Sequence, residues 1–154
     1  NSIGILERSY TSSRLQLRVN NMHISLDRLD EAHKALLTET KTLIETLTQT
    51  LSLYVQDPAS HSLQALPEYL KELSGAALFL GNSAQQTALL TAANFAQNRL
   101  NQNLALDAEQ VNCILNVVAG LDLLVDNLKN KQPVLQSMFD VALSSSQQLQ
   151  NIAA

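Results

Sequence analysis

Leu36, Leu43, Leu47, Leu51 and Tyr54 follow one another at spacings of three, four or seven residues, with Thr40 filling the widest gap. Residues three and four apart share one side of an α-helix, whereas a strand repeats every two, so this spacing constrains the fold more than any other feature of the chain. It predicts an amphipathic helix from about Asp30 to Val55. Asp57-Pro58 ends it, because the residue before a proline is pushed out of the α region.

The same period returns in Leu63, Leu66, Leu70, Leu73, Ala77 and Leu80, closed by Gly81-Asn82. Pro67 lies inside that stripe and would clash with the carbonyl of Leu63. The second helix therefore kinks there or begins near Leu66. A third helix is expected over about Ser83–Asn101, with Ala84, Ala88, Ala92, Phe95 and Arg99 along one side. Asp107 reads as an N-cap, with Glu109 and Gln110 in the first turn of a helix carrying Val111, Ile114, Val118, Leu121, Val125 and Leu128. Pro133 suits the first turn of a fifth helix bearing Leu135, Met138, Ala142, Leu149 and Ile152.

Short connections between such elements imply an all-α, antiparallel helical bundle: four helices and an additional terminal one. The expected organisation is an N-terminal extension over 1–29, the bundle over 30–130, and a C-terminal helix over 131–154 that packs on the bundle or extends it. The extension has two readings. Leu15, Leu17 and Val19, then Met22, Ile24 and Leu26, alternate with polar residues around Asn20-Asn21, as a short β-hairpin would. The preferred reading is an irregular or helical start to the first helix.

Composition narrows the function classes. A net charge of −4 supplies no basic surface for phosphate neutralisation, so nucleic acid is not an expected partner. Cys113 is the single cysteine, in an apolar helical pattern, and reads as a buried structural thiol. No apolar run approaches the ~18 residues needed to span a bilayer, and nothing resembles a signal peptide, so membrane insertion is not expected. The chain starts at Asn1 without Met, as a piece of a longer protein would; a cytoplasmic location is expected, with periplasmic as the alternative. There is no Gly-rich phosphate loop, C-x-x-C, H-E-x-x-H or EF-hand loop, so neither an enzyme nor a cofactor or metal site is expected. Asp122 and Asp126, one turn apart, could hold a cation, but a solvated helix face weighs more.

The most specific run is Lys71-Glu72-Leu73-Ser74-Gly75-Ala76-Ala77-Leu78-Phe79-Leu80-Gly81. It resembles the phospho-acceptor helix of histidine-phosphotransfer (Hpt) domains, H-x-L-K-G-x-x-x-x-x-G. Leu73, Gly75, Ala76, Leu80 and Gly81 match; Lys71 stands in the histidine position and Ser74 where lysine is usual. Asp57-Pro58 and the helix Leu36-Leu37-Thr38-Glu39-Thr40 fall in register upstream. Phe95-Ala96-Gln97-Asn98-Arg99-Leu100-Asn101-Gln102-Asn103-Leu104 is similar to the third helix of one subgroup, the Hpt-like domains of CheA-type kinases in type IV pilus chemosensory systems (ChpA or PilL). The related FimL scaffolds carry such domains without the histidine. The resemblance covers about residues 30–130 and implies an Hpt-like four-helix bundle.

The departure decides the chemistry that the resemblance implies. Phosphorelay needs an imidazole nucleophile, and a solvated ammonium near pKa ~10.4 has no free lone pair at neutral pH. His23, His33 and His61 all lie outside the motif. The expected function is therefore a non-phosphorylatable docking or scaffold module of a bacterial chemosensory system controlling type IV pili and twitching motility. Lys71 marks the degenerate acceptor position, and Glu68, Glu72, Ser74, Gly75 and Leu78 form the surrounding docking face. Expected partners are signalling or pilus-assembly proteins, a receiver domain among them, since receivers present carboxylates that a fixed positive charge could hold. The bland reading of Lys71 is a solvated residue loosely paired with Glu68. The alternative function is a ligand-sensing bundle of a transmembrane chemoreceptor or sensor kinase, and a third reading is a structural dimerisation bundle.

Overall fold

The apolar stripes do become helices. The computed structural model describes the backbone of residues 12–153 and the side chains of residues 30–152. Among these are α1 (Ser12–Gln56), α2 (Leu66–Phe79), α3 (Ser83–Asn101), α4 (Ala108–Lys129), a 3-10 turn (Gln136–Phe139) and α5 (Asp140–Ala153), with no strand. The fold is an all-α helical bundle.

The first helix is longer than its apolar stripe predicts. α1 begins at Ser12, so residues 12–29 are helical and the hairpin reading fails for them; residues 1–11 lie outside the described residues. Residues 29 and 30, the expected boundary, sit inside that one helix. Contacts divide the chain later, into a unit of Asn1–Leu36 and a unit of Leu37–Ala154. In the first unit, Lys34 pairs with Asp30 one turn away, Nζ to Oδ2 at 3.2 Å.

The second unit holds the core. Leu47 and Leu51 of α1, Leu70 and Leu73 of α2, Leu89 of α3, Ile114 and Leu121 of α4, and Leu149 of α5 are fully buried. Each such side chain is worth roughly 1.5–3 kcal/mol relative to being left in water. α2 packs along α3, and α5 packs against both α3 and α4, making α5 an integral wall of the bundle. α4 is long and apolar enough to cross a membrane by length and composition, contrary to the expectation that no run comes near that limit. Much of its apolar surface goes into the core, where Val111, Ile114, Val117, Val118, Leu121, Leu124 and Val125 are buried, while Leu123 is exposed.

Local chemistry sets the helix ends. Pro67 occupies the first turn of α2, where its missing N–H costs nothing, so the helix starts at Leu66 without a kink. Asn82 caps α3, its Oδ1 accepting from Gln85 N at 2.9 Å. Asp107 and Gln110 form a reciprocal capping box at the start of α4. α2, α3 and α4 each end in a Schellman motif, with Gly81, Asn103 and Lys131 in the left-handed region at φ 81°, 55° and 54°. The fifth helix starts later than Pro133 suggests. Pro133 lies in the connection, its carbonyl accepting from Asn127 Nδ2 at 2.7 Å. Of the expected stripe, Ala142 and Leu149 are buried, Met138 is half-buried, and Leu135 and Ile152 are exposed; Phe139 fills the core beside them.

Of the glycines among the described residues, Gly120 is the crowded one. A β-carbon there would lie 2.5 Å from Gln85 Oε1 and 2.7 Å from Ala142 Cβ. Gln85 is fully buried and donates from Nε2 to the Val117 carbonyl at 2.6 Å, so one amide ties α3 to α4 where α5 also arrives.

Candidate docking face on the second helix

α2 divides cleanly. Leu66, Pro67, Leu70, Leu73, Ser74, Ala76 and Ala77 are buried. Glu68, Lys71, Glu72, Gly75, Leu78 and Phe79 are exposed. The exposed positions recur at three- and four-residue intervals, so they form one continuous strip along the helix.

At the centre of the strip the helix surface is bare. A β-carbon built on Gly75 meets nothing within 4 Å, and its φ lies outside the left-handed region. Neither packing nor backbone conformation therefore calls for glycine, although it costs about 1 kcal/mol relative to alanine inside a helix. What the glycine does is leave the space between Lys71 and the Leu78-Phe79 pair open to an approaching molecule.

Charge and apolar surface flank that gap. Lys71 Nζ lies 3.5 Å from Glu68 Oε1 across one turn, with side-chain exposures of 47% and 71%. Such a pair contributes a few tenths of a kcal/mol and leaves the ammonium accessible. On the other side, Leu78 is 55% and Phe79 is 62% exposed. Together these provide a positive charge, an open backbone and two large apolar side chains, which suits binding another protein surface.

Two placements differ from the sequence reading. Ser74 is buried and its hydroxyl donates to the Lys71 carbonyl at 2.6 Å, so it supports the helix and does not line the face. Phe79 also belongs to the strip, beyond the residues the sequence reading names; its position four residues after Gly75 is the signal for it. Lys71, Glu68, Glu72, Gly75 and Leu78 do share one face.

The remaining candidates lie elsewhere. Asp122 and Asp126 do hold a cation, and it is the ammonium of Lys41, at 2.6 and 3.2 Å. That pairing raises the Lys41 pKa, chiefly through the hydrogen bond to Asp122, against a smaller opposing effect of burial. Cys113 is buried, and desolvation, followed by the negative charges of Glu109 and Asp107, pushes its thiol pKa up. His33 and His61 are half-buried, and the side chain of His23 lies outside the described residues. Among the described residues no group of three or more His, Cys, Asp or Glu is placed to hold a metal ion.

The family model described as the FimL C-terminal domain matches residues 27–146, from within α1 to within α5. No curated protein and no solved structure matches the chain.

Proposed function

The chain belongs to the FimL C-terminal domain family, and from that premise we propose that it is a protein–protein docking module in bacterial signalling to type IV pili and twitching motility, an Hpt-like bundle that binds without relaying phosphate. The observation that carries this reading is the open strip of α2. Its bare glycine keeps Lys71 approachable at the position where the Hpt pattern has its nucleophile. A lysine there has no free lone pair at neutral pH, and Ser74, aligned with the usual lysine, is turned into the core. On this reading the module works by binding and not by catalysis, in the cytoplasm. Its partner is a signalling or pilus-assembly protein, foremost a receiver domain whose acidic cluster faces the ammonium.

The test has two arms. Receiver domains of type IV pilus chemosensory systems are titrated against the wild-type chain and against Lys71→Glu. Wild type should bind, and charge reversal should weaken it at least about tenfold, as loss of a charge-assisted contact implies. Equal affinities would remove Lys71 from the interface. A phosphorylated receiver, incubated with the chain, should lose no label to it; label on Lys71 or on any histidine would restore a relay role.

A ligand-sensing transducer bundle fits less well. It requires long helices leading to membrane spans at both ends; α1, at 45 residues, is that long, but α2, α3 and α4 break into units of 14, 19 and 22 residues.

A further inference from the structure

Where α1 ends, α2 begins and α3 runs into its loop, the second unit contains a cavity of about 90 Å³. Leu63, Leu66, Ala96 and Leu104 supply apolar wall, and Tyr54 and Arg99 supply its polar groups. Leu104 is 44% exposed, so the cavity reaches the surface. Its position is fixed: the Schellman motif at Asn103 hydrogen-bonds Leu104 N to the Arg99 carbonyl at 2.8 Å.

Arg99 is held but not neutralised. Nη2 donates to the Ala105 carbonyl at 2.7 Å, and the guanidinium carbon sits 6.0 Å from the centre of the Phe95 ring. No ion pair among the described residues includes Arg99. Its Nε–H is buried and has no acceptor among them. Tyr54 Oη accepts from Leu106 N at 3.2 Å, which leaves the phenol proton to donate elsewhere. Arg99 lines the apolar cavity, so its guanidinium brings to the wall a positive charge that no carboxylate among the described residues offsets, with Tyr54 as a second donor nearby.

We propose that this cavity binds a small monocarboxylate with a short branched or linear chain. The chain lies among the leucines, and the carboxylate accepts from Arg99 and Tyr54. Two donors suit a carboxylate, whereas a phosphate would keep oxygens unpaired in a largely apolar site. By proportion with an apolar cavity of ~150 Å³ that takes benzene, the chain has roughly four carbons. This site is separate from the α2 strip and stands whether or not that strip binds a receiver.

The test uses 3-methylbutanoate, with acetate and 3-methylbutan-1-ol as comparisons, titrated into the 154-residue chain by NMR chemical-shift perturbation. The acid should saturate, with shifts centred on Ala96, Arg99 and Leu104, and should bind about tenfold or more tightly than either comparison, because only it offers both a charge and a chain. Arg99→Met should weaken it by a similar factor. Ala96→Leu, which fills the cavity, should abolish it while the far-UV circular dichroism stays helical. No saturable binding, or undiminished binding to Ala96→Leu, would overturn the site. An alcohol that binds as tightly as the acid would overturn carboxylate recognition. That comparison on the wild-type chain decides the point even if Arg99→Met fails to fold.

Discussion

Lys41 Nζ lies 2.6 Å from Asp122 Oδ1, joining α1 to α4 across eighty-one positions of sequence. Asp126 completes a fork around the same ammonium, one helical turn away at 3.2 Å. Two like-charged carboxylates one turn apart repel in an isolated helix; here they share a counter-ion supplied by a different helix. The ammonium is 28% exposed and the carboxylates 35% and 45%, so solvent screens the group and its contribution stays near about 1 kcal/mol.

The sign of the Lys41 shift gives a pH dependence. Its folded-state pKa is raised above the ordinary 10.5 of lysine. The stabilisation is therefore complete below that ordinary value and is lost as pH rises through the raised one. Urea midpoints followed upward from about pH 9 should fall more steeply for wild type than for Lys41→Met, which lacks the titrating group. Parallel curves would show that the pair contributes nothing.

Gly120 and Gly75 should respond oppositely to alanine. At Gly120 the new methyl meets Gln85 and Ala142, in a joint shared by three helices. Gly120→Ala should destabilise by about 1–3 kcal/mol, the usual cost of overpacking a core. At Gly75 nothing stands in the way, so Gly75→Ala should stabilise by about 0.5–1 kcal/mol through helix propensity alone. Denaturant titrations of the two variants measure both signs. A destabilised Gly75→Ala would mean that α2 is not open there.

Lys131 holds a left-handed conformation that costs an L-residue about 1 kcal/mol, at the position where Schellman motifs usually place glycine. Lys131→Gly should raise the thermal midpoint by a few degrees, as expected for a gain of roughly 0.5–1 kcal/mol in a domain of this size. An unchanged or lower midpoint would indicate that the lysine side chain supplies something the backbone geometry does not reveal.

Cys113 is buried with a raised thiol pKa, so the thiolate is scarce at neutral pH. Iodoacetamide should label it only in denaturant. Labelling of the native chain at the unfolded rate would contradict its place in the core.

Much of the fold can be read from the chain. The stripes from Leu36 to Leu128, the Pro67 start, the Asp107 cap and the Gly81 stop all follow from interactions within a few residues, and periodicity reports such interactions directly. The ends were harder. Between residues 12 and 29, alternation around Asn20-Asn21 imitates a hairpin, because short apolar runs satisfy both periods. After Pro133 the helix waits for Phe139 to reach the core before it starts. The candidate face was legible through Lys71 and Gly75, whose spacing places them on one side of a helix. Ser74 was misplaced because a helix position alone does not say how far the buried arc extends.

The sequence by itself determined the helices, most of their ends and the shared helix face of Lys71 and Gly75. These depend on spacing and on the chemistry of single residues. Only the tertiary structure decided that Gly75 is open while Gly120 is crowded, that Asp122 and Asp126 share Lys41, and that Tyr54 meets Arg99 at one cavity. Each of these is a distance between side chains on different helices. Such distances depend on how helices of similar length pack and rotate against one another, which the period of any one helix leaves free.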